Sequence, residues 1–126
     1  MASKMLHTCI RVENLEESIH FYTTAFGFVE TRRKDFPDHK FTIVYLSLEG
    51  DDYELELTYN YDHGPYVIGD GFAHVALSED NLEELHAKHK ELGYTVTDLK
   101  GLPGNKPNYY FVTDPDGYKV EVIRTK

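Results

Sequence analysis

The sequence predicts an α+β fold of two tandem βαβββ modules, their strands forming a curved mixed sheet with the helices packed outside. Three observations carry this. The chain repeats itself once; each half opens on a short alternating run followed by an amphipathic helix; and each half closes on strand-like runs joined by tight turn signals.

With 126 residues there is room for a single domain, so any twofold organisation is internal to it. The repeat is read directly. Asn14-Leu15-Glu16-Glu17 recurs as Asn81-Leu82-Glu83-Glu84, and each copy begins seven residues after a histidine, His7 or His74. Gly27-Phe28 then matches Gly93-Tyr94, Pro37 matches Pro103, and Tyr53-Glu54-Leu55-Glu56-Leu57 matches Tyr118-Lys119-Val120-Glu121-Val122. The modules cover about 5–61 and 72–126. Residues 62–71, with Gly64-Pro65 and Gly69-Asp70-Gly71, read as the linker.

The first strand of each module is Leu6 to Val12 or Phe72 to Leu77, where one parity is largely apolar. The first helix places Leu15, Ile19, Tyr22 and Phe26 on one face, with Glu13 or Asn14 as its start signal and Gly27 as its stop. In the second helix Leu82, Leu85 and Leu92 play the same part, and Gly93 ends it. Three strand-like runs follow in each module: Val29 to Lys34, Phe41 to Leu48 and Tyr53 to Tyr59, then Val96 to Leu99, Tyr109 to Thr113 and Tyr118 to Arg124. Glu49-Gly50-Asp51-Asp52 and Asp114-Pro115-Asp116-Gly117 have hairpin-turn chemistry.

Composition narrows the function. A net charge of -9 repels phosphate backbones and anionic headgroups, which argues against nucleic acid and membrane surfaces as partners. No run approaches the length of a membrane span, and the first residues lack a secretory h-region. One cysteine permits no internal disulfide. A cytoplasmic protein is expected.

Strand parity picks out the chemistry. Alternate side chains point to opposite faces, so His7, Cys9 and Arg11 lie opposite Leu6, Ile10 and Val12, and Glu54 and Glu56 lie opposite Leu55 and Leu57. In the second module His74 lies opposite Val75 and Leu77, and Glu121 opposite Val120 and Val122. Taken alone, each of these is an exposed strand carboxylate or a hydrogen-bonded core histidine. Taken together, one imidazole and one carboxylate at corresponding positions of both modules form an N₂O₂ set for a divalent ion such as Ni²⁺, Zn²⁺ or Co²⁺. Glu54 serves as a control: its counterpart is Lys119, so it is expected to be solvated or ion-paired.

The segments Leu6-His7-Thr8-Cys9-Ile10-Arg11-Val12, Glu56-Leu57-Thr58-Tyr59-Asn60, Ala73-His74-Val75-Ala76-Leu77 and Asp114-Pro115-Asp116-Gly117-Tyr118-Lys119-Val120-Glu121 resemble the glyoxalase I enzymes (lactoylglutathione lyases) of the vicinal-oxygen-chelate superfamily. The resemblance covers nearly the whole chain. It implies that His7, Glu56, His74 and Glu121 are the metal ligands of one divalent ion, with Ni²⁺ favoured and Co²⁺ or Zn²⁺ possible. It also implies that the hemithioacetal of methylglyoxal and glutathione is isomerised to S-lactoylglutathione through a metal-stabilised enediolate. Glu121 is then the proton-transferring carboxylate and Glu56 its partner across the substrate. Arg11 matches a family arginine, and Asn60 a family asparagine, that bind glutathione. Family members commonly pair as homodimers.

One departure is Asp70, standing where some glutathione-using members have a basic residue; Lys100 or Lys106 is the candidate to supply that charge. Within the superfamily, metal-dependent thiol transferases and ring-cleaving dioxygenases usually use two His and one Glu, so a fourth ligand at Glu56 argues against them. A metal-free drug-binding protein of the same fold has no need of the four donors.

Other signals are set aside. His86 and His89, one turn apart on the second helix and near Lys88 and Lys90, read as a solvated face. Arg32-Arg33-Lys34 reads as a solvated basic run. Cys9 reads as a small buried residue rather than a reactive thiol, and Asp114-Pro115-Asp116-Gly117 as a turn.

Overall fold

The structure is a computed structural model that describes residues 2–126. The chain divides into two compact units, with the division between Val67 and Ile68.

The first unit runs β1 (His7–Arg11), α1 (Leu15–Phe26), β2 (Val29–Phe36), a 3₁₀ turn (Pro37–His39), β3 (Phe41–Ser47) and β4 (Glu54–Asn60). Its four strands lie in the order β1-β4-β3-β2. The first and last strands of the module therefore become neighbours and pair in parallel, whereas β3 is antiparallel to both β4 and β2. α1 starts where the side chain of Asn14 accepts a hydrogen bond from Glu17 N at 3.0 Å. It stops at Gly27, whose φ of 78° closes the last turn at little cost only without a Cβ. Leu15, Ser18, Phe21, Tyr22 and Ala25 are buried, with Ile19 and Phe26 at the margin of that stripe. They join Ile10, Val12, Val44, Leu46, Leu55 and Leu57 in the core.

The second unit contains β5 (His74–Glu79), α2 (Leu82–Glu91), β6 (Tyr109–Thr113) and β7 (Lys119–Arg124). The strand order is β5-β7-β6, again with the first strand parallel to the last. The strands thus form two mixed sheets, one per unit. Leu82, Tyr110, Val112, Tyr118, Val120 and Val122 are buried here. The turn before β7 is held by Asp114, whose Oδ1 accepts from Asp116 N and Tyr118 N, both at 2.9 Å.

Two sequence expectations fail in this unit for a common reason. His86 and His89 are not on a solvated face; they are 8% and 0% exposed, and it is Leu92 that is 45% exposed. Burial is tolerable because both rings are hydrogen-bonded: His86 Nε2 donates to Thr97 O at 2.9 Å, and His89 Nδ1 is bonded to the hydroxyl of Tyr110 at 2.8 Å. The run Val96 to Leu99 is correspondingly not a strand, and is reduced to bridges of Val96 with Val112 and Lys100 with Tyr109. His86 occupies the Thr97 carbonyl, and Phe111 N donates instead to Thr97 Oγ1 at 2.9 Å, so the ladder is interrupted there.

Candidate functional site

In each unit the parallel pairing of first and last strands sets a histidine beside a glutamate. His7 is level with Glu54 and Cys9 with Glu56, so His7 reaches Glu56 two residues along the neighbouring strand. His7 Nε2 lies 3.3 Å from Glu56 Oε1. The second unit repeats this: His74 is level with Lys119 and Ala76 with Glu121, and His74 Nε2 lies 3.1 Å from Glu121 Oε1. The surroundings correspond too. The ring of Tyr45 meets His7 edge-on at 5.8 Å between centroids, and that of Phe111 meets His74 at 5.3 Å.

These four residues form two separate pairs, each of one imidazole nitrogen and one carboxylate oxygen. Both histidine side chains are about a third exposed and both glutamates are more covered, at 11% and 18%, so each donor pair opens to solvent from a supported base. The spacing suits a metal. With bonds of about 2.1 Å, two ligands of one divalent ion lie roughly 3.0 Å apart at a right angle and 3.4 Å apart at the tetrahedral angle. The observed 3.3 and 3.1 Å fall in that interval. Among the described residues, no group of three or more His, Cys, Asp or Glu side chains is placed to hold a metal ion.

Glu56 is firmly held. Thr58 Oγ1 donates to its Oε2 at 3.1 Å, and the Tyr45 hydroxyl and Cys9 thiol are further hydrogen-bond donors to the carboxylate. Burial alone would raise this carboxyl; hydrogen bonds from Cys9, Tyr45 and Thr58 and the adjacent His7 outweigh it, so its pKa falls below the ordinary value. Sequence reasoning missed Tyr45 and Thr58. Parity offered the signal: Thr58 is two residues beyond Glu56, and Tyr45 is level with Glu56 on β3.

Cys9 corrects an expectation, being exposed rather than buried, because alternation puts it on the His7 face. Burial of the sulfur nonetheless pushes its pKa up and outweighs the opposing Thr58 hydrogen bond, so the thiolate is disfavoured. Glu54 is ion-paired as its control status requires, with Arg32 Nη2 at 2.6 Å from its Oε1. Arg32 and Arg33 are accordingly not simply solvated. Arg32 also stacks on Tyr45 at 3.7 Å from the ring centroid, and Arg33 pairs with Glu30 at 3.0 Å and Glu16 at 3.4 Å. Arg11 stands on the His7 face of β1, exposed; Asn60 ends β4 and donates through Nδ2 to the Tyr66 hydroxyl at 2.8 Å.

No helix among the described residues is long and apolar enough to cross a membrane. Residues 4–122 match the sequence model of the Glyoxalase/Bleomycin resistance protein/Dioxygenase superfamily. The chain is 38% identical to a lactoylglutathione lyase of Neisseria meningitidis over an alignment of 126 residues that covers 98% of this chain and 91% of that protein. It is 37% identical to the lactoylglutathione lyase of Escherichia coli O157:H7, covering 98% and 93%. The solved trypanothione-dependent glyoxalase I of Leishmania major superposes with a TM-score of 0.86 at 33% identity, covering 98% of this chain and 87% of that one. With its two His–Glu pairs and near full-length matches of this kind, the chain belongs to the glyoxalase superfamily and, within it, to the lactoylglutathione lyase (glyoxalase I) family.

Proposed function

We propose that the protein converts the hemithioacetal of methylglyoxal and glutathione to S-lactoylglutathione, using one divalent ion, with Ni²⁺ favoured over Co²⁺ and Zn²⁺, held by His7, Glu56, His74 and Glu121. The observation that carries this reading is the pair of His–Glu contacts, at 3.3 and 3.1 Å, in corresponding strand positions of the two units. Two donors chelate weakly. A homodimer in which the first half-site of one copy meets the second half-site of the other completes the N₂O₂ set.

A bound divalent ion would polarise two adjacent substrate oxygens and so stabilise negative charge shared between them, an effect worth several kcal/mol. The chain's own residues supply the rest. Glu121 takes the proton from the carbon bearing sulfur and returns it to the neighbouring carbon, while the hydroxyl proton passes from the first oxygen to the second. Nothing is consumed; the ketone becomes the alcohol and the thiohemiacetal carbon becomes the thioester carbonyl. A carboxylate placed for this contributes about 10²- to 10⁴-fold. Glu56 faces the opposite side of the substrate, and its lowered pKa keeps it an anion across the neutral range. Arg11 and Asn60 bind the carboxylate and amide groups of the thiol portion. Lys100 or Lys106 supplies the positive charge for the thiol portion that Asp70 does not.

The test removes the metal with a chelator and restores Ni²⁺, Co²⁺ and Zn²⁺ separately. Thioester formation from methylglyoxal and glutathione should vanish and return with the added ion, most strongly with Ni²⁺. Failure of every ion to restore it overturns the reaction; a requirement for another thiol overturns only the cosubstrate.

A further inference from the structure

The two half-sites match in backbone and ligand type, yet the groups around their carboxylates differ in one consistent way. Position by position, Tyr45 corresponds to Phe111, since each is level with its module's glutamate on the adjacent strand. Thr58 corresponds to Ile123, each two residues beyond the glutamate, and Cys9 to Ala76, each level with it on the parallel strand. Apart from the histidine, each hydroxyl or thiol group beside Glu56 is replaced by an apolar group beside Glu121.

The consequences are geometric. The Thr58 hydroxyl has one proton, which goes to Glu56 Oε2 at 3.1 Å; its oxygen is left to face the Cys9 sulfur at 3.2 Å. The Tyr45 ring is anchored by the Arg32 guanidinium stacked on it, itself tied to Glu54, so its hydroxyl is presented from a fixed base. Rotating Glu56 away would cost both hydroxyls this acceptor, and the Tyr45 hydroxyl belongs to a buried residue. Glu121 has His74 at 3.1 Å and, among the described residues, no side-chain hydroxyl or thiol bonded to it.

We infer that Tyr45 and Thr58 are positioning residues that hold the Glu56 carboxylate in place, a support that Phe111 and Ile123 do not give Glu121. This rests on the metal-dependent lyase reading and deepens it. The mechanism then needs no difference in the ligands themselves: two equivalent carboxylates are given different work by the groups hydrogen-bonded to them. The Cys9 sulfur lies beside the same group, 3.2 Å from the Thr58 hydroxyl oxygen.

The test compares variants in the metal-loaded protein, reading Ni²⁺ affinity by chelator competition alongside kcat. Tyr45→Phe and Thr58→Val are close in shape to the native residues and each should weaken Ni²⁺ binding about tenfold, with the pair reaching up to about 100-fold. Thr58→Ser, which keeps the hydroxyl, should restore affinity to within about twofold of the native protein. In the opposite sense, Phe111→Tyr should tighten Ni²⁺ binding several-fold while lowering kcat about tenfold or more. Unchanged affinity in both the Tyr45→Phe/Thr58→Val pair and Phe111→Tyr overturns the inference, as does loss of affinity that Thr58→Ser fails to restore. If the native protein binds Ni²⁺ without forming thioester, the reaction reading falls while the affinity comparison still decides the positioning roles. If it binds no divalent ion, both fall.

Discussion

Replacing Tyr110 with Phe removes one oxygen from the core of the second unit. Tyr110 and His89 are both 0% exposed, and the hydroxyl lies 2.8 Å from His89 Nδ1. Phenylalanine fills the same ring volume, so the loss is that of a hydrogen bond and leaves a buried imidazole nitrogen without its partner. Stranding such a group costs about 1–3 kcal/mol. For a chain of 126 residues, 1 kcal/mol moves Tm by roughly 3–5 °C, so the transition should fall by about 3–15 °C. Scanning calorimetry of the variant gives the value directly. His89→Leu should be costly for the complementary reason, because it strands the hydroxyl. The double variant Tyr110→Phe/His89→Leu should then lose clearly less than the sum, with a coupling of about 0.5–3 kcal/mol. A single-variant cost below about 0.5 kcal/mol, or strict additivity, would refute the account of a hydrogen-bonded pair that makes a buried histidine tolerable.

Glu121→Gln should reduce kcat about 10²- to 10⁴-fold while equilibrium dialysis still finds the metal bound; retained turnover would remove this residue from proton transfer. If the half-sites join between copies, mixing His7→Ala with Glu121→Gln protein should restore about a quarter of the active sites, because half the dimers formed are mixed and each of those has one intact site. Neither parent restores anything alone, and an inactive mixture argues for a site within one chain. Asn14→Ala should destabilise the protein by about 1 kcal/mol in urea titration, whereas Asn81→Ala, whose side chain makes no cap hydrogen bond, should cost distinctly less.

The Arg32 hydrogen bond, joined by that of Thr31, holds the Glu54 carboxyl below its ordinary value. A depressed folded-state pKa gives stability that is present above the unfolded value and lost as pH falls through the folded one. The Tm gap between the native protein and Glu54→Gln should therefore narrow steadily on acidification from neutral pH into the ordinary carboxylate range and below it; a gap that stays constant would sink the assignment.

Residues that repeat in the sequence were the ones whose placement could be read from it. The pairs His7 with Glu56 and His74 with Glu121 hold corresponding module positions, and the period of two along a strand gives the face of each side chain, while the parallel pairing of first and last strands brings each pair together. α1 was equally legible, since Asn14 and Gly27 mark its ends by cap chemistry. The second helix misled because His86 and His89 are polar in sequence and hydrogen-bond to Thr97 and Tyr110, which lie outside the helix. Periodicity registers polarity and carries no information on partners contributed by other elements. The same contact explains the failed strand near Val96, whose residues have adequate strand character but lose a ladder carbonyl to an imidazole. Cys9 was misjudged in burial because parity gives the direction of a side chain, not what covers it. Tyr45 lay outside the matching segments and was visible only once the pairing of β3 with β4 was known.

The parallel pairing of the opening and closing strands in each module has a mechanical consequence. Because histidine and glutamate ride on adjacent strands stitched together by backbone hydrogen bonds, the spacing of each pair follows the ladder. A core substitution that tilts a sheet carries both donors with it as one body. The interior is thus free to drift over evolutionary time without parting the two side chains of either pair.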